Sequence, residues 1–263
     1  IRTRHIFIDG TDTANKNTLI ATGNTFTMNG EGYTDKTATE SALSIATWLV
    51  NAHGSTWSNN TVLFLNFLDN SGVFDDTNGY VIFSSGSDGI TISNNSITGG
   101  RHGVVIQDGI VASILRNRFI KTRDDAIWVF TGNTGDVTVA YNVISDTGDD
   151  GISIQSPVNL YNNTVARVSD TGLTYFVEAT GSVVKNNIFA EWGEATDDVG
   201  EGKKAVVKWT TGTVNYNLWF RTAGAGAQDW FDNPVNDTFA VWQAAGKDVN
   251  GLYANPLFVS TSN

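Results

Sequence analysis

The chain has 263 residues with 27 Gly, 27 Asn, 32 Thr, three Pro and no Cys, and its formal net charge is −11. The missing Cys excludes disulfide scaffolds, zinc–cysteine sites and thiol catalysis, and the acidity excludes electrostatic capture of nucleic acid or of an anionic membrane. No apolar run reaches the length of a membrane span, and with 16 % charged residues, against roughly 25 % in an average globular protein, helical bundles built on Glu and Lys rows fit badly. The 14 Phe, 8 Trp and 7 Tyr supply apolar surface for a core, while Asn, Gly and Thr together predict many short strands joined by tight turns.

The chain starts at Ile1 rather than Met, as a processed or trimmed product does. Composition, with the fold read below, places the expected protein outside the cell, secreted or at the cell surface. Ile1 runs almost directly into an alternating strand, Ile6-Phe7-Ile8. No capping segment is legible before it, so an upstream domain or self-association is expected to cover that edge. From there one unit recurs: an apolar residue, two spacers, Asn, one spacer, an apolar residue. A weak copy surrounds Asn24, followed by Trp57 to Val62 around Asn60, Ile92 to Ile97 around Asn95, Ile114 to Phe119 around Asn117 and Val139 to Ile144 around Asn142. Leu160 to Val165 around Asn163, Val184 to Phe189 around Asn187 and Val214 to Trp219 around Asn217 complete the series. The central intervals are 22, 25, 21 and 24 residues, one turn of a parallel β-helix.

Between the Asn units lies a second strand with two inward apolar residues around one outward residue. In chain order the copies are Ile6-Phe7-Ile8, Leu43-Ser44-Ile45, Tyr80-Val81-Ile82, Val104-Val105-Ile106, Ile127-Trp128-Val129, Ile152-Ser153-Ile154 and Leu173-Thr174-Tyr175. Two strands per coil at a stable period predict an all-β solenoid, a single-stranded parallel β-helix of about eight or more coils whose core is a set of apolar ladders. The Asn column is expected to form an amide ladder at one turn, a structural use rather than a catalytic one. Near the end, Asn236-Asp237-Thr238 caps a short expected helix through Phe239, Val241, Trp242 and Ala245, stopped by Gly246, and Asn255-Pro256-Leu257-Phe258 follows. One domain over 1–263 results, with coils over 1–219 and a C-terminal cap region over 220–263.

This pattern resembles the right-handed parallel β-helix proteins, the superfamily of pectate lyases and polygalacturonases, over nearly the whole chain. As a fold pattern it carries little information about function.

Turn lengths locate the expected site. From each ladder Asn to the next strand there are 8 residues after Asn95 and 9 after Asn117, Asn142 and Asn163, but 18 after Asn24, 19 after Asn60 and 18 after Asn187. Four short-turned coils between long loops predict a cleft, walled by residues 27–41 and 63–78 on one side and 190–204 on the other. On its floor the stacked positions read Arg101, Asp124, Asp149, Asp170 in one column and His102, Asp125, Asp150, Thr171 in the next. Coils sit about 4.8 Å apart, and carboxylates at that spacing repel by roughly 3 kcal/mol at an effective dielectric of 20. A bound cation, a shared proton, or Arg101, Arg123 and His102 must offset this. A single Asp before a Gly-apolar strand is ordinarily a turn residue, and only the two Asp-Asp pairs in consecutive coils mark a site. His5 precedes the first strand in a similar Arg-His context, which favours a repeated structural use of His102. Trp128, outward beside the carboxylates, is a candidate sugar platform.

Three functions remain open. Polygalacturonases resemble the floor further: Asp125-Ala126-Ile127 corresponds to their Asp before one strand, and Asp149-Asp150-Gly151-Ile152-Ser153-Ile154 to their Asp-Asp pair one coil later. Asp170-Thr171-Gly172-Leu173 has Thr where that family has His, and Lys208 is a candidate for its substrate-binding Lys. The resemblance implies an extracellular glycoside hydrolase acting on a polysaccharide, with Asp150 as acid and Asp125 and Asp149 positioning water. Arg101, His102, Arg123, Trp128 and Lys208 would hold sugar, and no cofactor is required. Ca²⁺-dependent pectate lyases are the second similarity: Asp124, Asp125, Asp149 and Asp150 would hold Ca²⁺, with Arg123, Lys121 or Arg101 as base. The third function is non-catalytic, a β-solenoid surface, adhesin or fibre module.

Overall fold

The computed structural model describes residues 4–9, 18–29, 45–65, 80–109, 111–175, 179–192, 206–207, 211–221, 231–233 and 235–258. Its strands form three sheets of ten, eight and nine strands. Successive strands visit the three sheets in turn, and each strand pairs with the strand one coil away. The result is a parallel β-helix with eight strands stacked in the second sheet. Pairing is parallel except where Val235–Asp237 folds back on Phe231–Asn233. Among the described residues no helix is long and apolar enough to cross a membrane.

A coil therefore has three strands rather than the two expected. The Asn unit is the difference: its first apolar residue lies in the second sheet and its last in the third. In one coil Ile92 belongs to Ile90–Ser93, Ile97 to Ser96–Thr98, and Asn95 is the corner between them. The bend is made by the residue before each ladder Asn, which takes a left-handed conformation: Asn59, Asn94, Arg116, Tyr141, Asn162, Asn186 and Tyr216 at φ 55 to 61°, and Gly23 at 70°. Asn and Gly accept that conformation readily. At the bulkier positions the Arg116 guanidinium lies 5.1 Å above the Tyr141 ring, so neighbouring corners stack on one another.

The amide ladder forms as expected. In each coil the Asn backbone N–H and side-chain Nδ2 both donate to the Oδ1 of the Asn one coil later, at 2.8 to 3.2 Å, from Asn60 through Asn95, Asn117, Asn142 and Asn163 to Asn187 and Asn217. Nδ2 also donates to a backbone carbonyl one coil earlier, as Asn142 does to Ile114 at 2.9 Å. The row has a direction, with donors facing the C-terminal end. It stops at a residue that only accepts: Asp248, fully buried, takes Asn217 N and Nδ2 at 3.2 Å and Trp219 Nε1 at 2.6 Å. Burial pushes the Asp248 carboxyl up, and the Trp219 and Asn217 donors pull it back. The expected helix, Phe239–Ala244 with Thr238 as N-cap and Gly246 at φ 80°, delivers this terminator and buries Trp242. A second, mixed row of Ser55, Ser87, Asn133, Ser156 and Ser182 accepts backbone N–H groups at the corner between the first and second sheets.

Two early strands are shifted from the expected register. Ile82, Phe83 and Ser84 pair with Val104, Val105 and Ile106, and Thr47 pairs with Ile82. The inward pairs are thus Thr47 with Leu49 and Ile82 with Ser84, all buried, rather than the flanks of Leu43-Ser44-Ile45 and Tyr80-Val81-Ile82. Inward Thr47 and Ser84 are polar, so the apolar pattern pointed two residues early at Tyr80-Val81-Ile82 and four residues early at Leu43-Ser44-Ile45, with the alternation itself unchanged. By the same register His5 falls in the column of Gly103, and its parallel with His102 does not hold.

Replacing Asn142 by Ala removes the acceptor of two Asn117 donors and two donors of its own, all buried. We expect a loss of at least ~3 kcal/mol in denaturant unfolding. Asp248→Asn, though isosteric, sets an NH₂ against the Trp219 or Asn217 donors and should cost about 1–3 kcal/mol.

Candidate active site

The carboxylates stand at the corner that leads from the third sheet back to the first, between Ile120 and Ile127 in one coil and Thr147 and Ile152 in the next. Backbone hydrogen bonds carry the parallel register through this corner: Asp124 N to Arg101 O at 2.9 Å, Gly103 N to Asp125 O at 3.2 Å, Asp170 N to Asp149 O at 3.4 Å and Gly151 N to Thr171 O at 3.0 Å. Both expected columns are therefore real. Glycines on either side of Asp149-Asp150 permit the close stacking: a Cβ at Gly148 would meet Arg123 O at 2.2 Å, and one at Gly151 would meet Val165 at 2.3 Å.

Within the columns the carboxylates divide into an inner and an outer set. Asp125 and Asp150 are 7 % and 8 % exposed, whereas Asp124, Asp149 and Asp170 are half-buried. The inner pair shares one hydroxyl, Ser153 Oγ, 2.7 Å from Asp125 Oδ1 and 2.9 Å from Asp150 Oδ2. Asp150 Oδ2 also meets Thr174 Oγ1, and its Oδ1 accepts from Thr171 N at 3.1 Å. Ser153 has a single proton to donate, so two ionised carboxylates cannot both be satisfied by it. A protonated Asp150 resolves the conflict by donating to Ser153, which in turn donates to Asp125. Its carboxyl is indeed held well above the ordinary carboxylate range, first by burial, then by the charges of Asp125 and Asp149.

The other end of this polar chain is His102. Its ring is 2 % exposed and packs between Tyr80, centroids 5.1 Å apart at 19°, and Trp128, 5.1 Å at 39°. Nδ1 lies 3.3 Å from Asp125 Oδ2 and Nε2 3.5 Å from Asp124 Oδ2, and Arg101 Nε reaches Asp124 Oδ2 at 2.5 Å. A ring so enclosed faces protein and not sugar, which corrects the substrate-binding expectation for His102. From Arg101 through Asp124, His102, Asp125, Ser153 and Asp150 to Thr174, polar groups follow one another across four coils.

Other expected residues scatter. Trp128 stays half-exposed, with Phe130 edge-on at 4.7 Å. Arg123 is half-buried in the column beside Arg101 and Asp124, bonded through its N–H to Gly100 O at 2.9 Å. Lys121 donates its backbone N–H to Ser145 O at 3.1 Å, beside Asp146, whose carboxyl is lowered chiefly by its hydrogen bond with Arg167 and least by the charge of Lys121. Lys208 and the cleft walls beyond Asn29, Leu65 and Trp192 lie outside the described residues. The sequence reading did not assign Ser153, Thr171, Thr174 or Tyr80 a part. Ser153 and Thr174 carried a signal, since after Val105 and Trp128 the outward strand position turns to hydroxyls in the coil of the Asp149-Asp150 pair and in the next.

Calcium, implied by the second similarity, can be tested against the donor set. Asp149, Asp150 and Asp170 each bring an oxygen within 4.8 Å of the others, a spread that ligands at 2.3–2.6 Å from one Ca²⁺ can have. Asp124 and Asp125 lie outside this group; they face Arg101 and His102. Asp149 and Asp170 fit the ion, but Asp150 fits poorly, because both its oxygens are engaged within the fold and burial favours its protonated form.

No curated protein matches the sequence. Among solved structures the chain is similar to PfbA, a surface adhesin of Streptococcus pneumoniae, with TM-score 0.59 and 13 % identity over 86 % of this chain and 67 % of that one. It is also similar to the catalytic domain of a GH87 α-1,3-glucanase in complex with tetrasaccharides, with TM-score 0.49 and 12 % identity over 78 % of this chain and 46 % of that one. The same domain in complex with nigerose gives 0.46 and 14 % over 86 % and 45 %. The chain thus spans less than half of the glucanase chain, and at these identities the likeness is one of fold. Residues 48–204 match the family model of the right handed beta helix region; with the three stacked parallel sheets and the continuous Asn row, this chain belongs to the right-handed parallel β-helix family.

Proposed function

We propose that the protein is an extracellular polysaccharide-acting enzyme, secreted or held at the cell surface, and a glycoside hydrolase. The observation that carries this reading is the inner carboxyl pair on one hydroxyl, Ser153, where burial and the charges of Asp125 and Asp149 push the Asp150 carboxyl up. Hydrolysis of a glycosidic bond needs one carboxyl kept protonated to donate to the leaving oxygen and another ionised to activate water. Asp150 is the acid. Half-buried Asp149, adjacent in sequence and nearer solvent, positions the water. Asp125 contributes its charge through Ser153, which keeps the proton on Asp150, and Trp128, Arg101 and Arg123 hold sugar. Lys208 is a further candidate for sugar contact.

A calcium-dependent lyase is the second reading, favoured by the grouping of Asp149, Asp150 and Asp170 within 4.8 Å. It requires Asp150 to ionise, and the two readings therefore differ in one measurable respect.

On the glycan that the protein cleaves, Asp150→Asn should lower kcat by at least ~100-fold, with new reducing ends in the wild-type reaction, no ultraviolet absorbance from unsaturated uronates, and no effect of EDTA. Full activity of Asp150→Asn overturns the assignment; unsaturated products lost on EDTA treatment replace hydrolysis by elimination.

Stability gives an independent check. Because folding raises the Asp150 pKa, the folded chain binds the extra proton, and this contribution is fully present below the unfolded value of about 3.9 and declines as pH rises through the folded value. Asp150→Asn carries no such charge. Its Tm should equal that of wild type near roughly pH 4 and rise relative to it toward about pH 8, in thermal melts across pH.

A further inference from the structure

We infer that the glycan taken by this site is neutral, an uncharged hexose or pentose polymer, and that the site rejects the uronate polymers that a resemblance to polygalacturonases and pectate lyases implies. The inference rests on the glycan-acting reading above and extends it to substrate class.

Three adjacent columns form the floor: Gly100, Arg123, Gly148, Ser169; Arg101, Asp124, Asp149, Asp170; and His102, Asp125, Asp150, Thr171. Five carboxyl groups stand there against two guanidinium groups. Arg101 is tied to Asp124 at 2.5 Å. The groups nearer solvent, Asp149 and Asp170, are half-buried and present acceptors. An ionised carboxylate accepts and does not donate. It therefore matches sugar hydroxyls, which donate, and opposes a uronate carboxylate, which offers only more acceptors and a like charge.

The neighbouring coils supply the other half of a neutral-sugar surface. In the outward column of the first sheet, Phe83, Val105, Trp128, Ser153 and Thr174 follow one another. Phe83 and Trp128 are half-exposed, Val105 between them is 2 % exposed, and Tyr80 meets Phe83 edge-on at 5.5 Å. Aromatic faces on the N-terminal side and acceptor carboxylates on the C-terminal side divide one floor between the apolar faces of a sugar ring and its hydroxyl edge.

The test is calorimetric binding of the full chain to neutral gluco-, manno- and xylo-oligosaccharides and to oligogalacturonate, each with Ca²⁺ and with EDTA. At least one neutral ligand should bind about tenfold or more tighter than oligogalacturonate in both conditions. Asp149→Asn combined with Asp170→Asn should move the two classes in opposite directions, weakening the neutral ligand and strengthening oligogalacturonate by about tenfold, a crossing that general loss of fold does not produce. Trp128→Ala should abolish neutral binding, and Phe83→Ala serves where loss of Trp128 disturbs the His102 stack. Oligogalacturonate bound as tightly as the best neutral ligand, with or without Ca²⁺, overturns the inference, and so does binding of neither class. A neutral ligand bound but not cleaved leaves the inference standing and removes hydrolysis. Cleavage of oligogalacturonate does the reverse.

Discussion

Each ladder Asn uses its backbone N–H and its side-chain Nδ2 on the same oxygen one coil further on, so donor and acceptor geometry are fixed together at every rung. A slip of one residue would break both bonds in a buried column and turn every inward side chain outward. The row therefore fixes which residue lies over which in all three sheets. It also fixes the polarity of the solenoid: donors face one end, and that end needs a group with acceptors alone. Asp248 meets the requirement, and the helix that precedes it places Trp242 in the core of the last coil.

Strict register has a cost at the corner where Asp124, Asp125, Asp149, Asp150 and Asp170 stand. A solenoid cannot fan such residues apart, because the backbone of each rung is bonded to the next. The protein relieves the repulsion locally and unevenly. Arg101 neutralises Asp124, His102 stands between Asp124 and Asp125, and the inner pair meets over Ser153. The relief is complete for Asp124 and weakest for Asp150, which is buried, flanked by two carboxylates and beyond the reach of His102. The raised pKa of Asp150 follows from its place in the stack rather than from any special motif.

This explains which parts of the molecule were legible in the sequence. The ladder, the capping helix and the two floor columns could be read because each depends on residue type at fixed spacing: Asn95 to Asn117 to Asn142, Thr238 to Gly246, Asp124-Asp125 to Asp149-Asp150. The three-strand coil was hidden because αL residues such as Arg116 and Tyr141 have no composition that marks a corner. The early register was hidden because Thr47 and Ser84 occupy apolar slots, and alternation alone does not distinguish registers two or four residues apart. At the site the sequence placed His102 near the carboxylates but not its direction. A ring between Tyr80 and Trp128 is decided by neighbours one coil away.

The same dependence on neighbours bears on how a site can arise in a solenoid at all. Its outer face is ordinarily a repeat of small polar or β-branched residues, as at Thr56, Thr91, Ser113 and Thr138 of the second sheet, where each coil repeats the last. At the corner between the third and first sheets the repeat is broken over four coils: Arg and His, then Asp-Asp, then Asp-Asp, then Asp-Thr. Such a sequence weakens the stack, since three carboxylates stand in one column and two in the next, and the inner pair must share a hydroxyl. A face selected for stability alone gains nothing from that arrangement, because an Asn or Thr at 125 or 150 would satisfy the same turn without the charge. The unevenness of the rungs is the strongest physical argument that this corner acts on something outside the protein.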